Sequence, residues 1–423
     1  MRRYLLHQLP KESKTYTTLL IASLSAVVVI SVFLQLAEYT QHAFKSNIVG
    51  QEYLGFFITP IVFALIVYID RNHANYAGGS GIPQLIAATD SRNKRIRLSL
   101  LSFKIAISKI VFVILAMMAG ASLSFGGPSV HIGSSIFYNF STLIKLKRKL
   151  LIQAVIAIGG SIGLIMAFNA PIAGVLFAYE EIGRKLKKQA LVLIGVISLL
   201  VYLLSNAYVT HAPYLIDLSS HSLPILLSWQ VLPLAILTGI LGGIFAKSSL
   251  YLITKFMFGN KFKVVLLSAL LGFFVALLNY FSDAQTSGSG HQEALMMLSG
   301  ESLGLEFIIM KYLATLASFI STIAGGLFMT SISIGTAIGS ELSTLYTQIN
   351  AQVIMIMAMI GYLSGVIRTP LTSALLVLEM TNSFDLLLPG ILVAFVASVT
   401  SKQISKQPIY EALANNYLKL THK

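Results

Sequence analysis

The chain has 423 residues, of which 56% are apolar and only 11% charged, with a mean hydropathy of +0.79; that balance excludes an ordinary soluble domain and makes lipid the solvent for most of the chain. A formal charge of +14 does not imply nucleic acid as a partner, because no basic stretch is interleaved with stacking aromatics. Cysteine is absent, which removes disulfides and thiolate metal sites.

In chain order, Arg2, Arg3, Lys11 and Lys14 precede a first apolar run at residues 16–37. A membrane helix needs about 20 such residues, and no small-residue cleavage pattern follows, so the run reads as a retained helix and not a signal peptide. A second run covers 53–68, and later ones 190–205, 223–246 and 374–397. Basic residues gather at the ends of apolar segments, at 92–97, 145–149 and 184–188. That asymmetry places these loops and the N-terminus in the cytoplasm. Lys109 lies inside the apolar run 105–118, where a buried lysine is costly and functional by default, with snorkelling to the interface as the alternative. Lys104 reads as snorkelling.

Several apolar stretches are broken internally by Gly, Ser or Pro, at 78–83, 126–128 and 325–330. Non-helical backbone at membrane depth is tolerated only where protein buries it or a cavity adjoins it, so the three breaks together point to a polar pathway. The chain also repeats itself. Pro171 and Glu180 stand nine apart, as do Pro370 and Glu379, at an offset of 199. Gly79-Ser80-Gly81 echoes Gly288-Ser289-Gly290, and 127–133 echoes 329–335, in the same order. The predicted architecture is an all-α polytopic membrane protein of two inverted-topology halves of tilted and broken helices. The halves span about 1–215 and 216–423, joined through the polar stretch 206–221.

Moving an anion through lipid costs tens of kcal/mol unless fixed dipoles replace its water. Helix N-termini supply free N–H groups, and amides and hydroxyls hold an anion weakly enough for it to leave. Short Gly/Ser/Pro motifs opening helices fit that demand. Gly79-Ser80-Gly81-Ile82-Pro83, Gly326-Leu327-Phe328-Met329-Thr330, Phe168-Asn169-Ala170-Pro171 with Glu180-Glu181, the stretch 367–381 and Pro408-Ile409-Tyr410 together resemble the signatures of the CLC family of anion channels and transporters, over about 78–410. The resemblance implies that Ser80 and Tyr410 offer hydroxyls to a central anion. The N–H groups of Leu327 and Phe328 complete the shell, those of Gly126 and Gly127 face an outer site, and Lys109 raises the local potential. A serine at position 80 implies chloride preference and disfavours the fluoride-exporting branch.

The chain departs from that pattern at its gate. Where the family carries a glutamate that plugs the outer pore and shuttles protons, Ser124-Phe125-Gly126-Gly127-Pro128 has Gly126, so the outer pore is expected to be ungated. Among the 16 acids, Glu341 and Glu181 are the candidates for a substitute proton path. Thr330 replaces a family proline and brings a hydroxyl close to the site. His131 is either a titrating group near neutral pH or a packed core residue. Ser289 and His291 hint at a hydrolase, but two residues so close do not form a nucleophile and base unaided.

The expected activity is uncoupled, chloride-selective conduction, with a proton/chloride antiporter as the alternative and a transport-dead homologue behind both. No catalytic residue, metal or cofactor is expected, chloride being the transported ion. The resemblance further implies a homodimer with one pore per subunit. Thirteen residues follow Tyr410, so no cytoplasmic regulatory domain is expected, and the compact form suggests a prokaryotic plasma membrane.

Overall fold

The computed structural model describes residues 13–48, 50–144, 149–182, 188–206, 214–218, 229–257, 259–346 and 348–421. Arg2, Arg3, Lys11, the basic residues from Lys145 to Arg148 and from Arg184 to Lys187, most of the 206–221 stretch and the start of the 223–246 run lie outside them. The described chain is helical throughout: α1 (Ser13–Ile48), α2 (Gly55–Ile69), α3 (Ile82–Asp90), α4 (Lys94–Leu101), α5 (Phe103–Met118), α6 (Gly126–Leu143), α7 (Lys149–Phe168), α8 (Pro171–Phe177), α9 (Lys188–Asn206), α10 (Leu232–Met257), α11 (Lys261–Phe281), α12 (His291–Leu298), α13 (Gly304–Ile320), α14 (Phe328–Ser343), α15 (Ala351–Ile367), α16 (Pro370–Met380), α17 (Leu387–Ile404) and α18 (Ile409–Thr421). Among the described residues, seven helical stretches are long and apolar enough to cross a membrane.

Helix length follows from what each helix faces. The 36 residues of α1 reach ~54 Å, well beyond the ~30 Å hydrocarbon core, so the helix is tilted or projects from it. By contrast α15 is buried from Val353 to Ile367, and a helix that is apolar on every side and buried by protein belongs at the centre of the bundle. Its counterpart α7 is nearly as enclosed. Each packs tightly on the helix before it in sequence. Gly133 of α6 meets the backbone of Gly159 and Gly163 on α7, while Gly335 of α14 lies against the backbone of Met359 on α15; small residues let membrane helices approach this closely. Gly133 and Gly335 are equivalent positions in the repeat, so the two halves build the same core pair.

The run 374–397, expected as one crossing, is two helices. α16 ends at Met380 and α17 begins at Leu387, because Asn382 takes a left-handed conformation (φ 50°) and the Ser383 hydroxyl donates to the Thr381 carbonyl. Hydropathy alone hides such a polar turn, since apolar residues flank it on both sides. Helices α3, α8, α12 and α16 are too short to cross the membrane independently.

Candidate anion site

The loops before α3, α6 and α14 meet in the middle of the molecule and pair with one another. Gly79 bridges Ala324, and Ser124 bridges Gly326. The Gly79 N–H donates to the carbonyls of Thr322 and Ile323, both at 3.1 Å, and Ser124 N–H donates to Gly326 at 2.9 Å. These bonds satisfy backbone groups that lipid leaves bare, and they join first-half loops to a second-half loop. A Cβ on Gly127 would strike the Ser80 hydroxyl and stand 3.4 Å from the Cα of Gly326, so Ser80 lies directly against the start of α6. Gly81, at φ 94°, turns the chain into α3 in a conformation that costs glycine little.

Tyr410 arrives from the far end of the chain, at the first turn of α18, and is fully buried. Its hydroxyl neighbours that of Ser80, and neither hydroxyl makes a well-formed hydrogen bond to the protein. Leaving a buried hydroxyl unmade costs about 1–3 kcal/mol. Around them, the N-cap residues of α6 and α14, Phe125 and Leu327, supply no side-chain cap, so first-turn N–H groups, including those of Gly127, Leu327 and Phe328, lack intrahelical acceptors. Neutral donors with no acceptor, gathered at depth, make a shell suited to a dehydrated anion. A cavity of about 240 Å³ lined by Arg71, Asn75, Lys261, Asp70, Thr322 and Tyr417, among others, leads toward it. Thr322 and Tyr417 also line a smaller void that reaches Ser80.

Lys109 is fully buried and does not snorkel. Its ammonium donates to the carbonyls of Gly79 at 2.9 Å and Gly78 at 3.4 Å, fixing the loop that carries Ser80. The Lys109 amine therefore lies against the backbone that carries Ser80. Lys104 is exposed and donates to the His73 carbonyl.

Gly126 departs from expectation in two respects. Its N–H points to the Ser124 hydroxyl at 3.3 Å, an oxygen that Met329 N–H also approaches at 3.3 Å, so it is not a free donor for an outer site. Nor does the glycine leave a void: a Cβ there would stand 2.5 Å from Cε2 and Cζ of Phe168. The Phe168 ring fills the space into which a side chain at 126 would project. It belongs to an aromatic cluster with Phe328 at 5.9 Å and Tyr214 at 5.6 Å between ring centroids.

The remaining candidates separate. Thr330 turns its hydroxyl to the Leu327 carbonyl at 3.1 Å, so it adds no donor to the shell. Glu341 lies thirteen residues beyond Phe328 on the same helix, ~20 Å along the axis, and accepts from Ser302; it is not at the site. Glu181 is buried in a widened turn after α8, near enough for its charge to act on Tyr410. His131 is wholly buried, its Nε2 on the Leu100 carbonyl at 2.9 Å and its ring against Gly81, as a packed core residue. His291 bonds the Tyr214 carbonyl, so Ser289 and His291 are not a catalytic pair.

The glutamates of the repeat do something that sequence spacing does not disclose. Glu379 accepts the N–H groups of Ile172 at 2.9 Å and Ala173 at 2.7 Å, at the start of α8. Glu180 accepts those of Leu371 at 3.1 Å and Thr372 at 2.7 Å, with the Thr372 hydroxyl, at the start of α16. Each half caps a helix of the other, a carboxylate at each positive helix end. Lys311 was also missed. Buried like Lys109, it donates to the carbonyls of Thr286, Ser287 and Gly288. Its signal was available, for it follows Lys109 by 202 positions, the offset of the neighbouring glycine repeat.

A family model described as voltage gated chloride channel matches residues 62–402. Among solved structures, a slow cyanobacterial Cl⁻/H⁺ antiporter superposes with a TM-score of 0.85 at 22% identity, covering 97% of this chain and 100% of that one. A CLC-type fluoride/proton antiporter gives 0.77 at 18% identity over 93% and 96%, and a eukaryotic CLC transporter 0.73 at 20% over 96% and 75%. At these identities the structures establish the fold, and the family match, spanning most of the sequence, establishes kinship: the chain belongs to the CLC family of voltage-gated chloride channels and related anion transporters.

Proposed function

We propose that this protein passes chloride down its electrochemical gradient without moving protons, through a constriction at Ser80 and Tyr410. The observation that carries the reading is the Phe168 ring packed where a gating carboxylate at position 126 would lie. A hydrocarbon ring neither competes with chloride as an anion nor binds a proton, so passage depends on ring displacement and not on titration. Ser80, Tyr410, Gly127, Leu327 and Phe328 supply neutral donors, with Lys109 biasing the potential from behind the Ser80 loop. The protein works in this reading as a homodimer with a separate pore in each subunit, its N-terminus cytoplasmic in a prokaryotic plasma membrane. The halves meet near residue 215.

Chloride-loaded proteoliposomes test the reading. Valinomycin-triggered chloride efflux without proton movement is expected. Proton uptake driven uphill by a chloride gradient overturns it. One observation favours the antiporter as a second reading: Glu181, buried beside Tyr410, is an acid placed to reach the pathway. Uphill proton uptake that disappears in Glu181→Gln establishes that alternative.

A further inference from the structure

The repeat continues beyond the motifs that first reveal it. Offsets between equivalent positions narrow steadily, from 209 at Ser80 and Ser289, through 202 at Lys109 and Lys311 and 199 at Glu180 and Glu379, to 196 at Tyr214 and Tyr410. The last pair is matched locally too, since a proline stands just before each tyrosine or one residue earlier, at Pro213 and Pro408. Every component of the Ser80 site thus has a counterpart. Lys311 holds the loop of Ser289 by three carbonyls as Lys109 holds the loop of Ser80 by two. Gly290 is left-handed at φ 80° and opens α12, as Gly81 opens α3. Tyr214 packs on that loop, its ring 4.7 Å from the ring of His291 and its carbonyl bonded to the same histidine.

The orphan hydroxyls are repeated as well. Ser289 is 1% exposed and Ser333 wholly buried, and the hydroxyls of Ser289, Ser333 and Tyr214 all lack hydrogen-bond partners. The Ser333 hydroxyl lies against Gly290, where α12 begins, with the Lys311 side chain alongside. Three unmatched buried hydroxyls beside a helix N-terminus and a buried ammonium reproduce the chemistry of the first site. We propose that Ser289 and Tyr214, with Ser333 and the opening turn of α12, form a second site for a small monovalent anion, an inverted copy of Ser80 and Tyr410 facing the opposite side of the membrane. This inference rests on reading Ser80 and Tyr410 as an anion site.

The surroundings define its strength. Glu293, on α12, acts on Lys311 and is paired through Oε1 with Lys45, which offsets its charge, while its Oε2 is buried without a partner. The Gln41 side-chain oxygen is occupied by the Ser289 N–H and so does not face the anion as a bare acceptor. Glu38 is exposed and its charge acts on Tyr214; it opposes an anion there, so this site is the weaker of the two. It adjoins the pathway, because Tyr214 packs on Phe168. An anion held there lies beside the ring that closes the proposed pathway.

Bromide soaked into crystals of the full-length protein locates both sites by anomalous scattering. Two peaks per subunit are expected, one between Ser80 and Tyr410 and one beside Ser289 and Tyr214. In Ser289→Ala with Tyr214→Phe the second peak should disappear while the first remains. Glu38→Gln should strengthen the second peak and lower the bromide concentration that half-fills it about tenfold, the effect of removing one nearby opposing charge. A first peak without a second, at bromide concentrations that fill the first, overturns the second site and leaves the proposed conduction intact. A second peak that persists in the double variant overturns the residue assignment. Absence of both peaks in the unaltered protein removes the parent reading, and this one with it.

Discussion

Placing a glutamate at position 126 tests the central geometric claim, because the claim sets a steric cost as well as a chemical gain. The new Cβ would stand 2.5 Å from two Phe168 carbons, whereas carbon atoms settle at about 3.5–4.0 Å; the ring must move by about 1 Å or more. Overpacking of this kind costs about 1–3 kcal/mol, and Phe168 has little room, being fully buried between Tyr214 and Phe328. Phe168→Ala alone costs about 3–5 kcal/mol through the cavity it leaves. The pair should be less destabilised than the sum, with a coupling of about 1–3 kcal/mol, because the glutamate fills the vacated space. Thermal unfolding followed by size-exclusion fluorescence measures all three variants. In liposomes the double variant should gain a pH dependence absent from the parent. An ionised carboxylate competes with chloride at neutral pH, so flux is low there and rises as the acid is protonated on acidification. Additive stabilities, or flux in the double variant that ignores pH between about 7 and 4, would refute the placement of the ring.

Glu180→Gln and Glu379→Gln should each lower thermal stability by about 1.5–3 kcal/mol, since a charge-assisted cap becomes a neutral one. Glu180→Gln should cost more, because Glu180 accepts three bonds and Glu379 two; differential scanning fluorimetry reads the order. Lys109→Met leaves the Gly78 and Gly79 carbonyls without their donor and should weaken chloride binding about tenfold by calorimetry, a penalty of the size of one lost charged bond. Thr330→Val should leave chloride-over-nitrate selectivity in liposome flux within about twofold, because the hydroxyl it removes is bonded to Leu327; a larger change means that the hydroxyl reaches the anion.

Much of the site could be read from residue types at breaks in apolar runs. Gly79 to Pro83, Gly126 to Pro128 and Gly326 to Thr330 had to be non-helical, because lipid forbids loose backbone unless protein covers it. What escaped were quantities that depend on where side chains point. Gly126 was legible as a missing carboxylate, yet the ring that replaces it belongs to Phe168, 42 positions later, and no periodicity links the two. Glu180 and Glu379 were legible as a repeat, but that each serves the other half follows only from the exchanged packing of α8 and α16. Ser124 was legible only as part of the motif around Gly126. In the structure its hydroxyl collects the amides of Gly126 and Met329. The split of 374–397 escaped because hydropathy averages over a turn of three polar residues.

The exchanged glutamate caps bear on how this molecule can move. Many transporters work by rocking one repeat as a rigid body against the other around a fixed site. Here such a rotation would pull each carboxylate off the helix it caps and expose two bare helix ends inside the membrane. The exchanged caps therefore latch the halves against such a rotation.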